Sequence, residues 1–252
     1  MTAVATTEPA TCACGTTYKP GAAFCARCGT RRQPVEPVAP PPPRAAGLPI
    51  AIAYYMVLLA AQVVAMVNIK LGGDVFTTTW VVTLGFAVIT IGFAIPNHAL
   101  VLPLLGRAGF RPLGYLVLLA LAPVIVALIH GYVHGLGILF DLDQPGELDM
   151  YAGYGIGLAI VLDAVIPPFV EEIGFRGLIF GALRRNLRFS EALVISSFAF
   201  AFAHLSVPSI LTHAPLGFYL CWLRYRSNSL WPPMFAHACH NLGVIAWAAY
   251  ST

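Results

Sequence analysis

The stretch FVEEIGFRG, residues 169–177, sets two carboxylates and a guanidinium inside a segment that is otherwise apolar. In a helix, Glu172 and Arg176 stand at i and i+4 and share a face, with the acid before the base, the favoured order for a helical ion pair. Glu171 projects about 100° away and finds no partner on its own helix. A compensated pair is suited to holding helices in place, and an ion-pair network accounts well for Glu172 and Arg176. It accounts less well for Glu171, whose lone carboxylate in a low-dielectric setting is a candidate general base. Asp163 is a further acid in the same segment and reads as a supporting or water-contacting group. Pro167 and Pro168 follow it and should kink or locally unwind the helix.

Other polar groups are expected at the same depth. Measured from Arg184, Glu171 lies roughly 20 Å along a helix axis, and His204 lies about as far along the next helix from Glu191. In WPPMFAHACHNLG the prolines suit a first helical turn, and His237 and Asn241 follow at i and i+4 on one face. A carboxylate, two imidazoles and an amide on three helices are the parts for hydrolysing an amide bond: a base, a group that orients water, and donors for an oxyanion. Phe200, one turn before His204, reads as packing that fixes the imidazole. His240 sits about 60° around the helix from His237 and reads as support. His130 and His134 form a pair without a third ligand, a weak metal signal, and His98 and His213 read as interfacial.

The elements that must carry these residues are membrane helices. Of the 252 residues 58% are hydrophobic and only 10% charged, far from the charged quarter of soluble domains. Apolar stretches of spanning length recur at about 50–69, 79–103, 112–139, 152–182, 191–206, 209–223 and 230–249, which predicts an all-α polytopic bundle of about seven spans. Met1 to Ala10 is polar and lacks the apolar stretch of a signal peptide. The basic breaks, Arg107 and Arg111, Arg184, Arg185 and Arg188, and Arg224 and Arg226, fall on the same side as the N-terminal arm. The opposite breaks hold Lys70 and the acidic DLDQPGELD, so the N-terminus is expected in the cytoplasm. No basic run with interleaved aromatics points to nucleic acid. Internal inverted repeats, the mark of a transporter, are not found.

Ahead of the bundle, residues 10–32 hold Cys12, Cys14, Cys25 and Cys28, and residues 33–49 form a Pro-rich linker. The clustering suggests a metal rather than a disulfide framework. The segment is similar to a short zinc ribbon, with two knuckles each ending in Cys-Gly and a first knuckle that is Cys-x-Cys where Cys-x2-Cys is usual. Four thiolates would close a tetrahedral structural Zn2+ site, without which so small a module has too little core to fold.

Three motifs, EEIGFR (171–176), FAFAH (200–204) and HACHN (237–241), fit Glu-Glu-x3-Arg, Phe-x3-His and His-x3-Asn in order. Together they resemble the CPBP family of intramembrane proteases, which includes the type II CAAX prenyl endopeptidases and bacteriocin-processing or self-immunity proteins. The resemblance covers about residues 150–250 within a transmembrane domain at 50–250. It implies a cavity opening toward the cytoplasmic leaflet and cleavage of a peptide bond in a membrane-associated protein or peptide. By the resemblance, Glu171 activates water beside His204, His237 and Asn241 stabilise the oxyanion, and Glu172 and Arg176 shape the site. A catalytic Zn2+ on Glu171, His204 and His237 and a metal-free mechanism both stay open, as does prenylation of the substrate. The alternative reading is a non-catalytic peptide-binding or self-immunity module using the same cavity. The Cys-rich arm lies outside the family's core and is suited to recruiting a protein partner.

Overall fold

The structure is a computed structural model that describes residues 14, 16–17, 24–29, 47–140 and 155–251. The chain divides into two units, Met1–Pro42 and Pro43–Thr252. In the first, the described residues include a knuckle turn: Gly29 takes φ +71° and its N–H donates to the Cys25 carbonyl at 3.0 Å. A left-handed backbone suits glycine there and brings Cys28 back toward Cys25. Cys12 lies outside the described residues.

The second unit is all-helical: α1 (Gly47–Lys70), α2 (Val75–Ala94), α3 (His98–Leu105), α4 (Pro112–Phe140), α5 (156–183), α6 (Phe189–Phe202), α7 (Val207–Ser227) and α8 (Trp231–Ser251). Helices α1 and α2 and residues Pro112–Ile129 of α4 are long and apolar enough to cross a membrane, and α6 is a shorter apolar helix. Large apolar side chains such as Val64 and Val88 point outward along them, about 70% exposed. That is the expected surface of an integral membrane protein, since lipid is the solvent there. The other segments carry the polar and charged groups of the motifs.

The expected span at 79–103 is two helices. Helix α2 starts earlier, where the Asp74 side chain caps it by accepting the Thr77 N–H at 2.6 Å, and ends at Ala94. Pro96 has no N–H to continue the ladder, the chain turns over residues 95–97, and the Asn97 amide donates back to the Phe93 carbonyl at 2.9 Å. The last carbonyls of α3 and its following turn are then satisfied from the start of α8. Trp231 Nε1 donates to Leu105 O (2.8 Å), Leu230 N to Leu104 O (3.2 Å) and Ser229 Oγ to Arg107 O (2.5 Å).

Helix α5 is central, packing against α1, α2, α3, α6, α7 and α8. It is not a uniform α-helix, because Ile160–Val165 and Glu172–Ile179 are wound as π segments. Such wide turns are uncommon and collect at functional sites. Its approach to α1 requires Gly174. Tyr54 is fully buried with its hydroxyl bonded to Thr90 Oγ1 at 2.9 Å, and that hydroxyl occupies the place where a Cβ on residue 174 would go.

Gly174→Ala is therefore expected to destabilise the detergent-solubilised protein by about 1–3 kcal/mol, the cost of overpacking. Adding Tyr54→Phe, which removes the obstructing oxygen, should recover part of the lost thermal midpoint. Equal midpoints for wild type and Gly174→Ala would contradict this packing.

Candidate active site

Glu172 lies on the second π segment, wholly buried, and its Oε1 receives two donors. Arg176 Nη1 approaches from the same helix at 2.8 Å, and His237 Nδ1 arrives from α8 at 3.0 Å. Arg176 is equally buried and is fixed on its other sides: Nη2 donates to the Gly217 carbonyl of α7 at 3.4 Å, and its guanidinium lies 4.4 Å from the centre of the Phe200 ring on α6. Helix α7 comes this close because residue 217 is glycine, where a Cβ would press on Ser197 of α6 at about 3.0 Å. Four helices thus converge on the Glu172–Arg176 pair. Charged hydrogen bonds and a cation–π contact are strong where water is excluded.

Glu171 has a different surrounding. The expectation that it lacks a partner holds for its own helix, but α8 supplies one: His237 Nε2 stands 3.8 Å from Oε2. That separation exceeds a normal hydrogen bond, and the Glu171 side chain keeps 15% exposure where Glu172 has none. Because the Glu172 carboxylate accepts the Nδ1 proton of His237, Nε2 carries a lone pair when that ring is neutral and donates only when it is protonated.

His204 stands in the turn after α6. Its Nδ1 lies 2.9 Å from the Phe200 carbonyl. A carbonyl only accepts, so Nδ1 bears the hydrogen and Nε2 presents a lone pair. The ring meets Phe200 edge to face, with centroids 5.2 Å apart, and Phe200 also touches His237 at 5.8 Å. Phe200 is the hinge between the two imidazoles, and a stack of rings, Phe86 on Phe175 and Phe175 on Phe200, backs it from α2. Among the described residues no hydrogen bond joins Glu171 to His204.

Asn241 reaches the first π segment. Asp163 would offer its carbonyl to residue 167 in an α register or to residue 168 in a π register. Both are proline and have no N–H to give. The orphaned carbonyl is instead met by Asn241 Nδ2 at 2.6 Å. The loosening expected from the two prolines is thus present as the π turn, and the amide expected at an oxyanion has one of its two hydrogens committed to the backbone.

Two cavities border these residues. An apolar one of about 390 Å³ lies beside Phe169 on α5 and Trp231, Met234 and Phe235 on α8. A more polar one of about 590 Å³ ends on His204 and is walled by Gln62, Thr79 and Thr83.

Of the other histidines, His98 bonds the Ile95 carbonyl through Nδ1 at 3.1 Å, His134 is exposed, and His240 is half-buried. The side chain of His130 lies outside the described residues. His213, read as interfacial, stacks on His204. For a catalytic Zn2+ the donors do not assemble. Among the described residues only Cys14, Cys25 and Cys28 place their ligand atoms within 4.8 Å of one another, and Glu171, His204 and His237 do not.

A family model of the type II CAAX prenyl endopeptidase Rce1-like proteins matches residues 154–243. Every group described above on α5, α6 and α8, from Asp163 to Asn241, falls within the matched residues. The chain is also similar to the "Putative membrane peptidase YdiL" of Bacillus subtilis (strain 168), with 33% identity over 141 residues, 53% of this chain and 57% of the relative. The chain therefore spans a little over half the length of that relative. No solved structure matches it.

Asn241→Ala should cost about 1–3 kcal/mol by removing the amide that donates to the Asp163 carbonyl. Pro167→Ala supplies an N–H in the α register, so the double variant should regain thermal stability over Asn241→Ala alone. Strictly additive losses would show that the two residues are not linked in this way.

Proposed function

We propose that the protein is an intramembrane endopeptidase that hydrolyses a peptide bond of a membrane-associated protein or peptide. The observation that carries this reading is the division between the two carboxylates. Glu172 is wholly buried, with its Oε1 engaged by both Arg176 and His237 and its Oε2 without a hydrogen bond, while Glu171, one residue away, makes only the 3.8 Å approach to His237 and keeps some exposure. The match to the Rce1-like family and the similarity to a membrane peptidase support it.

In this mechanism Glu171 accepts a proton from water while the lone pair of His204 Nε2 holds the other hydrogen. The water oxygen bonds to the peptide carbonyl carbon, whose oxygen becomes an oxyanion. His237, protonated at Nε2, and the second hydrogen of Asn241 Nδ2 stabilise that charge. Glu171 then passes its proton to the departing amine as the C–N bond breaks. Arg176 and Glu172 stay out of the proton transfers and hold His237 in place. No step runs through an active-site metal, since Glu171, His204 and His237 are not drawn together as ligands. The basic breaks between helices favour a cytoplasmic N-terminus.

For the N-terminal unit, Cys12, Cys14, Cys25 and Cys28 are proposed to hold a structural Zn2+. The supporting geometry is the 3.6 Å between Cys14 Sγ and Cys25 Sγ. Thiolates about 2.3 Å from a tetrahedral zinc stand about 3.8 Å apart.

Purified protein in detergent should cleave at least one of a panel of fluorogenic peptides. Glu171→Ala and His204→Ala should each lower the rate by roughly 100- to 10,000-fold, as for loss of a general base; cleavage surviving both would overturn the reading. Elemental analysis should find one zinc per chain, lost when Cys25 and Cys28 are both changed to Ser. A metal-free wild type would refute the zinc site.

A further inference from the structure

The sequence places His213 in the second turn of α7, outside all three motifs, where it reads as interfacial. The structure sets its ring against His204, with centroids 3.8 Å apart and planes inclined by 32°. We propose that His213 is a positioning residue that holds the His204 ring in its working orientation by stacking on it. This rests on the peptidase reading only for its effect on rate.

His204 needs such a constraint. It is exposed and stands in a turn rather than within a helix, and the next residue, Leu205, takes a left-handed φ of +50°, unfavourable for a side chain of that size. Its hydrogen bond to the Phe200 carbonyl fixes the position of Nδ1 but leaves the ring able to swing about that contact. Phe200 meets the ring with its planes 77° apart, an edge contact that bounds one side. His213 covers a face, and it also leans on Phe200 at 5.8 Å, so the three rings form a closed triangle. His213 is anchored in turn, with its Nδ1 3.0 Å from Thr212 Oγ1. A tilted ring pair at this separation contributes contact that an aliphatic side chain cannot supply. The Nε2 lone pair of His204 then keeps one direction, as a water-orienting group must.

The role assigned to His213 is planar contact, so phenylalanine should replace it and alanine should not. Two readouts separate this from the peptidase reading. Carbethoxylation of His204 by diethyl pyrocarbonate, located by mass spectrometry, reports cover of its ring whether or not the protein cleaves anything. Peptide cleavage by the full chain reports the effect on chemistry. His213→Ala is expected to raise the rate of His204 modification several-fold and to lower kcat about tenfold with little change in KM. His213→Phe should restore both to within about threefold of the wild type. Unchanged modification and kcat in His213→Ala, or a His213→Phe variant as impaired as His213→Ala, would overturn the assignment. A wild type that cleaves no peptide, with the modification pattern intact, would leave the stack in place and defeat the peptidase reading alone.

Discussion

The structure depends on one buried carboxylate that an arginine and a histidine share. Glu172 Oε1 receives Arg176 from its own helix and His237 from α8, with all three side chains almost wholly out of solvent. A charge in such a place is tolerated only when its partners are in contact, and removing one partner of a buried pair costs several kcal/mol. That requirement fixes α8 to α5, and through Arg176 it fixes α7 at the Gly217 carbonyl and α6 at Phe200. The helices that carry the three motifs are therefore held by electrostatics at their centre, in a protein whose outer surface faces lipid and gains nothing from apolar burial there.

The same arrangement gives adjacent glutamates different roles. A one-residue step along α5 rotates the side chain by about a quarter turn. Glu172 points into the cluster, and Glu171 points to its edge near His237 Nε2. The wide turns of α5 serve both ends of the site. One leaves the Asp163 carbonyl for Asn241 to meet; the other carries Glu172 and Arg176. The two prolines before Glu171 matter less as a kink than as two missing donors, because their absence ties α8 to α5 a second time.

Much of this could be read from residue spacing. The i, i+4 relation of Glu172 and Arg176 follows from helix geometry. The break after Ala94 was also signalled, by Pro96, but the apolar residues on both sides made one span seem continuous. What spacing does not report is the lateral arrangement of helices. The contact between Glu171 and His237, the reach of Arg176 to Gly217 and the stacking of His213 on His204 each depend on which faces of two helices meet. For Asn241 a signal was present: two consecutive prolines withhold both the α- and the π-register donor from one carbonyl, and an amide on a neighbouring helix can meet it. Gly174 was legible only as a small residue, since the tyrosine that requires it lies on α1.

The division between Glu171 and Glu172 is the central claim, and thermal unfolding in detergent of the two single glutamine variants tests it most directly. Glu172→Gln removes the charge that Arg176 and His237 share and should melt far below the wild type, while Glu171→Gln should melt with it. A Glu172→Gln midpoint equal to that of the wild type, or a collapse of Glu171→Gln instead, would contradict the account.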